Sequence, residues 1–283
     1  MTGKLFLCRN FSFDLSKKTL VMGILNLTPD SFSDGGKYLD EKKAVLRAVE
    51  MAEEGADIID IGGESTRPGS VKVDAVEEIK RILPVLKKIV KKVNLPVSVD
   101  TYKYEVAKAA LDEGAAIIND ISGLGFSPKI AELTAKAKAG LILMHIKGTP
   151  ANMQQDPKYK DVAGEIGAYL KESVSLALKA GNKKNSIVID PGVGFGKTLE
   201  HNLIILKNIR EFVKLGYPVM IGVSRKSFIG KILNTESDGR LEGSLAAAVL
   251  SVKDGASIIR AHDVKETVRA LRVTEAILKS KTK

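Results

Sequence analysis

Gly55-Ala56-Asp57-Ile58-Ile59-Asp60 is a phrase that the chain uses three times. It returns as Gly114-Ala115-Ala116-Ile117-Ile118-Asn119 and as Gly255-Ala256-Ser257-Ile258-Ile259-Arg260. Each copy follows an amphipathic helical pattern, so its glycine stands where a helix C-terminus calls for a left-handed residue. Each then runs through a β-branched pair to a polar residue. The unit is helix, tight turn, buried strand, polar tip. Gly140-Leu141-Ile142-Leu143-Met144-His145 is a looser fourth copy.

Strands of this kind are expected at Val21–Asn26, Asp57–Ile61, Val97–Asp100, Ala116–Asn119, Leu141–His145, Ile187–Asp190, Val219–Val223 and Ile258–Ala261. They alternate with helical patterns at Glu41–Glu54, Asp74–Val93, Tyr104–Glu113, Pro128–Ala139, Asp161–Ala180, Leu199–Leu215, Leu241–Lys253 and Asp263–Lys279. Near-continuous apolar strands separated by amphipathic helices mean a parallel sheet covered by helices. Eight such units in 283 residues favour a (β/α)8 TIM barrel over a doubly wound open sheet. Lys4–Leu15 precedes the first unit and is expected to form a β-hairpin capping the barrel's N-terminal end. No linker or low-complexity stretch divides the chain, so residues 1–283 read as a single domain.

Composition narrows the function classes. Hydrophobic residues make up 44% and charged ones 28%, the balance of a globular protein with a sizeable core. No uncharged apolar run is long enough to span a bilayer, and Met1–Asn10 lacks the apolar core and cleavage site of a signal peptide. The single cysteine, Cys8, rules out an internal disulfide framework and fits a reducing cytoplasm. The net charge of +10 raises the question of nucleic acid. Lysines spread along helix faces and aromatic content of only 5% favour a basic surface that draws in small anions instead.

In a barrel of this type the C-terminal strand ends converge on one mouth. Here those ends are Asn26, the loop Gly62–Gly69, Asp100, Asn119, His145, Asp190, the turn Ser224-Arg225-Lys226-Ser227, and Arg260 with His262. A lone Asp at such a place is more often a helix cap, and a lone His more often a packing residue. Capping does not explain polar residues at every one of the tips. Asp100, Asn119 and Asp190 are acceptors that suit a flat heterocycle with an amidine-like donor edge. Asn26, Arg67, Lys226, Arg260 and His262 are mainly donors and suit a phosphate or diphosphate. A dedicated metal cage is not indicated, since the chain has three His and no dense carboxylate cluster. A Mg²⁺ shared with a substrate phosphate is compatible. The loops Thr28–Tyr38 and Gly62–Gly69, rich in Gly, Pro, Ser and Asp, are expected to act as mobile, polar lids. Gly192–Lys197 is glycine-rich without Walker spacing; glycine there is expected to let the backbone and Phe195 approach a flat ligand.

These residues closely resemble the dihydropteroate synthase family of pterin-binding barrels, from roughly Val21 to Glu266. The likeness rests on separate blocks: Met22–Tyr38, Ile61–Gly69, Ser98–Thr101, Ile118–Ser122, Met144-His145, Ile189–Lys197, Gly222–Gly230 and Arg260–Val264. Val193 and Ala261 are mild variations within them. The resemblance implies a homodimer of (β/α)8 barrels. It implies the joining of 6-hydroxymethyl-7,8-dihydropterin diphosphate to 4-aminobenzoate with release of diphosphate. It places the pterin on Asp100, Asn119, Met144, Asp190, Phe195, Gly222 and Lys226. It places the diphosphate on Asn26, Thr66, Arg67, Arg260 and His262, with Mg²⁺ touching Asn26. Phe32, Pro68, Phe195, Lys226 and Ser227 shape the aminobenzoate pocket. Asp100, Lys226, Arg67, Arg260 and His262 carry the catalytic roles, and no nucleic acid or membrane partner is implied. Two rival classes share the barrel. One is a pterin-dependent methyltransferase, which would need neither a diphosphate clamp nor the Ser224–Ser227 turn. The other is a non-catalytic pterin-binding barrel.

Overall fold

The structure is a computed structural model, and it describes residues 5–28, 37–65, 69–70 and 72–280. Phe32, Thr66, Arg67 and Pro68, with most of the expected lid Thr28–Tyr38, lie outside the described residues.

The chain opens with an antiparallel hairpin, β1 (Leu5–Cys8) and β2 (Phe11–Asp14). There follow β3 (Leu20–Asn26), α1 (Lys37–Glu53), β4 (Ile58–Gly62), α2 (Ala75–Lys92), β5 (Val97–Asp100), α3 (Tyr104–Asp112), β6 (Ile117–Asp120), α4 (Ile130–Ala137), β7 (Gly140–Met144) and α5 (Val162–Lys179). The last part runs β8 (Ile187–Asp190), α6 (Leu199–Lys207), α7 (Ile209–Val213), β9 (Met220–Gly222), α8 (Ser227–Leu233), α9 (Leu241–Lys253), β10 (Ile258–Ala261) and α10 (Val264–Lys279). Strands β3 to β10 form one parallel sheet in the order β8-β7-β6-β5-β4-β3-β10-β9. A parallel bridge from Ile189 to Val219 closes β8 onto β9, and the sheet becomes a (β/α)8 barrel.

The threefold phrase explains how the barrel fills. Gly55, Gly114 and Gly255 all stand at φ near +100°, the left-handed turn that ends the preceding helix. Side chains alternate across a strand. Ile58, Ile117 and Ile258 point into the barrel's lower half, beside Met22, Ile142, Val188 and Met220. Ile59, Ile118 and Ile259 point outward into the main core beneath the helices. Both layers are fully or almost fully buried, and each such side chain contributes roughly 1.5–3 kcal/mol. The next inward position belongs to the polar sixth residue. Phe6 and Cys8 of the hairpin pack against the lower layer, which closes the N-terminal end as expected.

Three expected elements differ. Leu199–Leu215 is two helices, because Asn208 leaves helical geometry (φ −112°, ψ 25°) and its side-chain amide donates to the Ile204 carbonyl. A separate short helix, Ser227–Leu233, follows the basic turn. In the fourth copy the left-handed residue is Lys138 (φ 52°), so Gly140 already belongs to its strand. A Cβ on Gly140 would lie 2.8 Å from the Phe6 ring, which is why the position is bare.

Candidate active site

The mouth is the layer of inward residues above the apolar floor. Asp60, Asp100, Asn119, Met144, Asp190, Gly222 and Arg260 each sit at the inward position next above the floor on their strands. The centre of this layer is a buried ion network. Arg260 Nε donates to Asp60 Oδ2 at 2.6 Å, and its Nη2 donates to Asp100 Oδ2 at 2.8 Å. Asn119 Nδ2 donates to the same Asp60 oxygen at 3.2 Å. The sixth residues of all three copies therefore meet at one atom, Asp60 Oδ2, which accepts from both Asn119 and Arg260. Asp60 was not among the expected site residues. Its signal was present, since it holds the same place in the phrase as Asn119 and Arg260.

This network is incomplete within the chain. Asp60 Oδ1, Asp100 Oδ1 and Asn119 Oδ1 are buried acceptors with no hydrogen-bond partner. Buried polar atoms are normally paired, so three such acceptors in one layer ask for donors from a ligand. Burial, more than any neighbour, pushes the Asp100 carboxyl up to about 7; Arg260 opposes this and Asp60 adds to it. Asp190 is likewise raised to about 6 by burial, against the pull of the Gly192 amide, which donates to its Oδ1 at 2.7 Å. Asp120, next to Asn119, faces the opposite way. It accepts from the Ser122 amide and hydroxyl and the Leu124 amide, and so ties down the following turn.

One wall of the mouth is apolar. Ile121, Met144, Ile146, Met153 and Phe195 form a small buried cluster with Tyr102 at its edge. Lys226 Nζ lies 4.2 Å from the Phe195 ring centroid. Burial and the neighbouring Arg260 lower its ammonium to about 8, while Asp190 and Asp100 pull the other way. The cationic turn is less rich than its sequence suggested, because Arg225 is paired bidentately with Asp263 outside the mouth. Ser227 is exposed beside a cavity of about 210 Å³ that Gln154, Asn202, Phe228 and Lys231 also line. A larger recess, about 240 Å³, lies among Leu170, Val174, Leu178, Leu215 and Tyr217 and shares no residue with the mouth.

His262 is held from both ends by one hydroxyl. Its backbone N–H donates to Ser224 Oγ at 3.1 Å, and its Nδ1 lies 3.1 Å from the same oxygen. Burial, with Arg260 and Arg225 nearby, lowers its pKa to about 3, so the ring is neutral and offers a donor rather than a charge. Ser224 is thus an orienting residue that sequence reading had not singled out for His262. Asn26 ends β3, half-buried, beside Gly62. Glu64, just before the undescribed stretch 66–68, accepts from the Val73 amide, the Tyr102 hydroxyl and Lys103 Nζ. Lys103 also pairs with buried Glu78, so both stems of that loop are fixed to the barrel.

A (β/α)8 barrel whose mouth offers buried acceptors to a flat heterocycle beside cationic donors defines a class, that of the pterin-binding enzymes. The family model described as pterin binding enzyme matches residues 22–262. The chain is 48% identical over 278 residues to the dihydropteroate synthase of Escherichia coli (strain K12), covering 98% of both chains. Its fold is similar to a Yersinia pestis dihydropteroate synthase solved with a sulfonamide drug complex (TM-score 0.91, 42% identity, 98% of this chain and 100% of that one). It is equally similar to a Xanthomonas albilineans dihydropteroate synthase solved with 4-aminobenzoic acid (TM-score 0.92, 41% identity, 99% and 100%). The chain belongs to the dihydropteroate synthase family.

Proposed function

We propose that this barrel joins 6-hydroxymethyl-7,8-dihydropterin diphosphate to 4-aminobenzoate, giving 7,8-dihydropteroate and diphosphate in folate biosynthesis. The observation that carries the reading is the set of partnerless buried acceptors on Asp60, Asp100 and Asn119. They lie in the layer that also holds Asp190, with the Met144–Phe195 wall beside it. A pterin supplies a flat ring for that wall and a row of N–H donors for those oxygens. Asp190 and Asn119 take the amino edge, Asp100 the dihydro-ring N–H, and Lys226 the carbonyl side. Gly222 has no side chain, which leaves room for the ring next to Arg260.

The reaction follows from the charges. The bond between the pterin methylene carbon and the diphosphate oxygen breaks, and its electron pair leaves with diphosphate. Arg67, Arg260, neutral His262 and Thr66 receive that oxygen anion as donors. The positive charge left on the methylene delocalises into the ring, where ionised Asp100 stabilises it. The amine nitrogen of 4-aminobenzoate then forms the new C–N bond with its lone pair and gives up a proton to water. Ser227, Phe195 and Lys226, with Phe32 and Pro68, form the aminobenzoate pocket. No protein nucleophile takes part.

We also assign Mg²⁺ to this site. Among the described residues no group of three or more His, Cys, Asp or Glu could cage a metal ion. Asn26 offers one half-buried oxygen ligand at a strand tip, a donor set that fits an ion held chiefly by diphosphate oxygens. When bound, Mg²⁺ offsets charge on the leaving diphosphate. We further propose that the whole chain, 1–283, works as one unit and pairs as a homodimer. Exposed aliphatic side chains on three mutually packed helices support the pairing: Leu203 and Ile204 of α6, Ile232 and Leu233 of α8, and Leu250 of α9. A lone buried Cys8 and the absence of any membrane-length apolar helix among the described residues support a cytoplasmic setting. The test is turnover. Purified protein given pterin diphosphate, 4-aminobenzoate and Mg²⁺ should release one diphosphate per dihydropteroate formed. Methyl transfer from a methylated folate, or pterin binding without diphosphate release, would replace this reading with one of its rivals.

A further inference from the structure

Lys197 is a buried cation to which the reaction above gives no role. It is 2% exposed and follows the glycine-rich loop after β8. Its Nζ lies 2.8 Å from the Phe195 carbonyl, 3.4 Å from the His145 carbonyl and 3.0 Å from His145 Nδ1. Three acceptors match the three N–H bonds of an ammonium. His145 can serve as one of them, since burial, with Lys197 beside it, lowers its pKa to about 3 and keeps the ring neutral.

The contact joins two loops. His145 follows β7 and Phe195 follows β8, and the two loops meet backbone to backbone. A Cβ on Gly192 would lie 2.0 Å from the His145 carbonyl oxygen, and one on Gly196 would lie 2.4 Å from that of Lys147. The β8 loop carries Asp190 at one end and Phe195 in the middle, and the Phe195 ring meets Lys226 Nζ. We propose that Lys197 is a positioning residue for pterin binding: its ammonium ties the β8 loop to the β7 loop and thereby places Asp190, Phe195 and Lys226 along one wall of the site.

Charge extends the same role. The groups facing Asp190 are the Gly192 amide and the cations Lys226, Lys197 and Arg260. Burial lowers the Lys197 ammonium well below the usual lysine value; Asp190 opposes this, Lys226 and Lys147 add to it, and neutral His145 lies against it. Each of the three cations favours the ionised form of Asp190, which burial disfavours. Removing Lys197 leaves the loop its other anchors. Gly194 still donates to Asn202 and accepts from Gln154, and the Gly196 carbonyl still accepts from Tyr159. Lost charge and a loosened loop are therefore separable by experiment.

The inference rests on the assignment of Asp190 to the pterin. The probe is 6-hydroxymethylpterin, which lacks the diphosphate, titrated by calorimetry across about pH 5–7.5. In the wild type its affinity should fall as pH drops through about 6, where Asp190 takes up a proton. In Lys197→Met that midpoint should rise by about one pH unit, equivalent to roughly tenfold weaker binding on the acid side. Lys197→Arg, which keeps the charge, should return the midpoint toward the wild-type value. Should the Met variant fail to fold, Lys197→Gln keeps two donors for the carbonyls without the charge and should show the same shift. A loosened loop alone lowers affinity equally at every pH. A uniform loss with an unmoved midpoint therefore keeps the tie and removes the charge effect on Asp190, whereas wild-type affinity with an unmoved midpoint in the neutral variants overturns the proposal. Asp190→Asn separates the two levels: near wild-type affinity in that variant overturns the pterin assignment itself, whatever Lys197 does.

Discussion

Asp60→Asn is the substitution whose cost the structure defines best. It keeps the shape of the side chain and removes the charge that Arg260 Nε meets at 2.6 Å. Asp60 is fully buried, and the guanidinium retains one other carboxylate, Asp100, at 2.8 Å. Removing one partner of a buried ion pair typically costs about 3–5 kcal/mol. With Asp100 still in place the lower end applies, about 3 kcal/mol. A chain of this size loses roughly 2–4 °C of Tm per kcal/mol, so melting should fall by about 6–12 °C. A second effect is chemical. Burial is the main cause of the raised Asp100 pKa, about 7, and the Asp60 charge adds to it. Without that charge the acid limb of kcat/KM that belongs to Asp100 should move to lower pH. Thermal melts and pH–rate profiles read the two effects independently. Asp57→Asn is the control. Asp57 accepts from the Val21 amide at the foot of the barrel, far from the mouth layer, so it should lower Tm and leave the limb in place. A melting temperature within about 2 °C of wild type and an unmoved limb in Asp60→Asn would refute the network as the organiser of Arg260.

Three further outcomes are expected. Asp100→Asn should lower kcat about 10²-fold, roughly 2.7 kcal/mol of transition-state stabilisation, while weakening pterin binding far less; wild-type protein with pterin diphosphate and Mg²⁺ alone should release diphosphate slowly, and release strictly dependent on aminobenzoate would instead indicate direct displacement. If Lys226 acts as an ammonium, kcat/KM should decline as pH rises through about 8, its lowered value, and Lys226→Arg should carry that limb to higher pH; an alkaline limb identical in both proteins would remove Lys226 from the titration. Aminobenzoate should bind measurably only when pterin, diphosphate and Mg²⁺ are present, because Phe32 and Pro68, proposed for its pocket, stand close in sequence to the proposed diphosphate ligands Asn26, Thr66 and Arg67; chelation of the metal should abolish that binding in a calorimetric titration, and equal affinity in the empty protein would count against coupled sites.

The core and the mouth were readable from the sequence for one shared reason. A parallel strand alternates its side chains, so Ile58-Ile59-Asp60 assigns floor, outer core and mouth in three consecutive residues. The copies at Asn119 and Arg260 repeat that assignment. What the phrase does not contain is who meets whom. Arg260 lies level with Met22 on β3, and Asp60 lies one strand further on, level with Ser98. Their contact therefore reaches across β3, and only the stagger of the closed barrel sets it. The same holds for Arg225. In sequence it adds charge to the turn before Ser227, but in space Asp263, 38 residues later, takes it away from the mouth. Asn208 shows the converse case, a local competition that the periodicity of Leu199–Leu215 conceals because the apolar pattern continues through the break. Periodicity thus names the residues that face the site, and it leaves their pairing to closure. Lys197 lies beyond both kinds of reading: it ends a glycine run that looks like a phosphate loop, yet its ammonium turns inward to two carbonyls and a histidine.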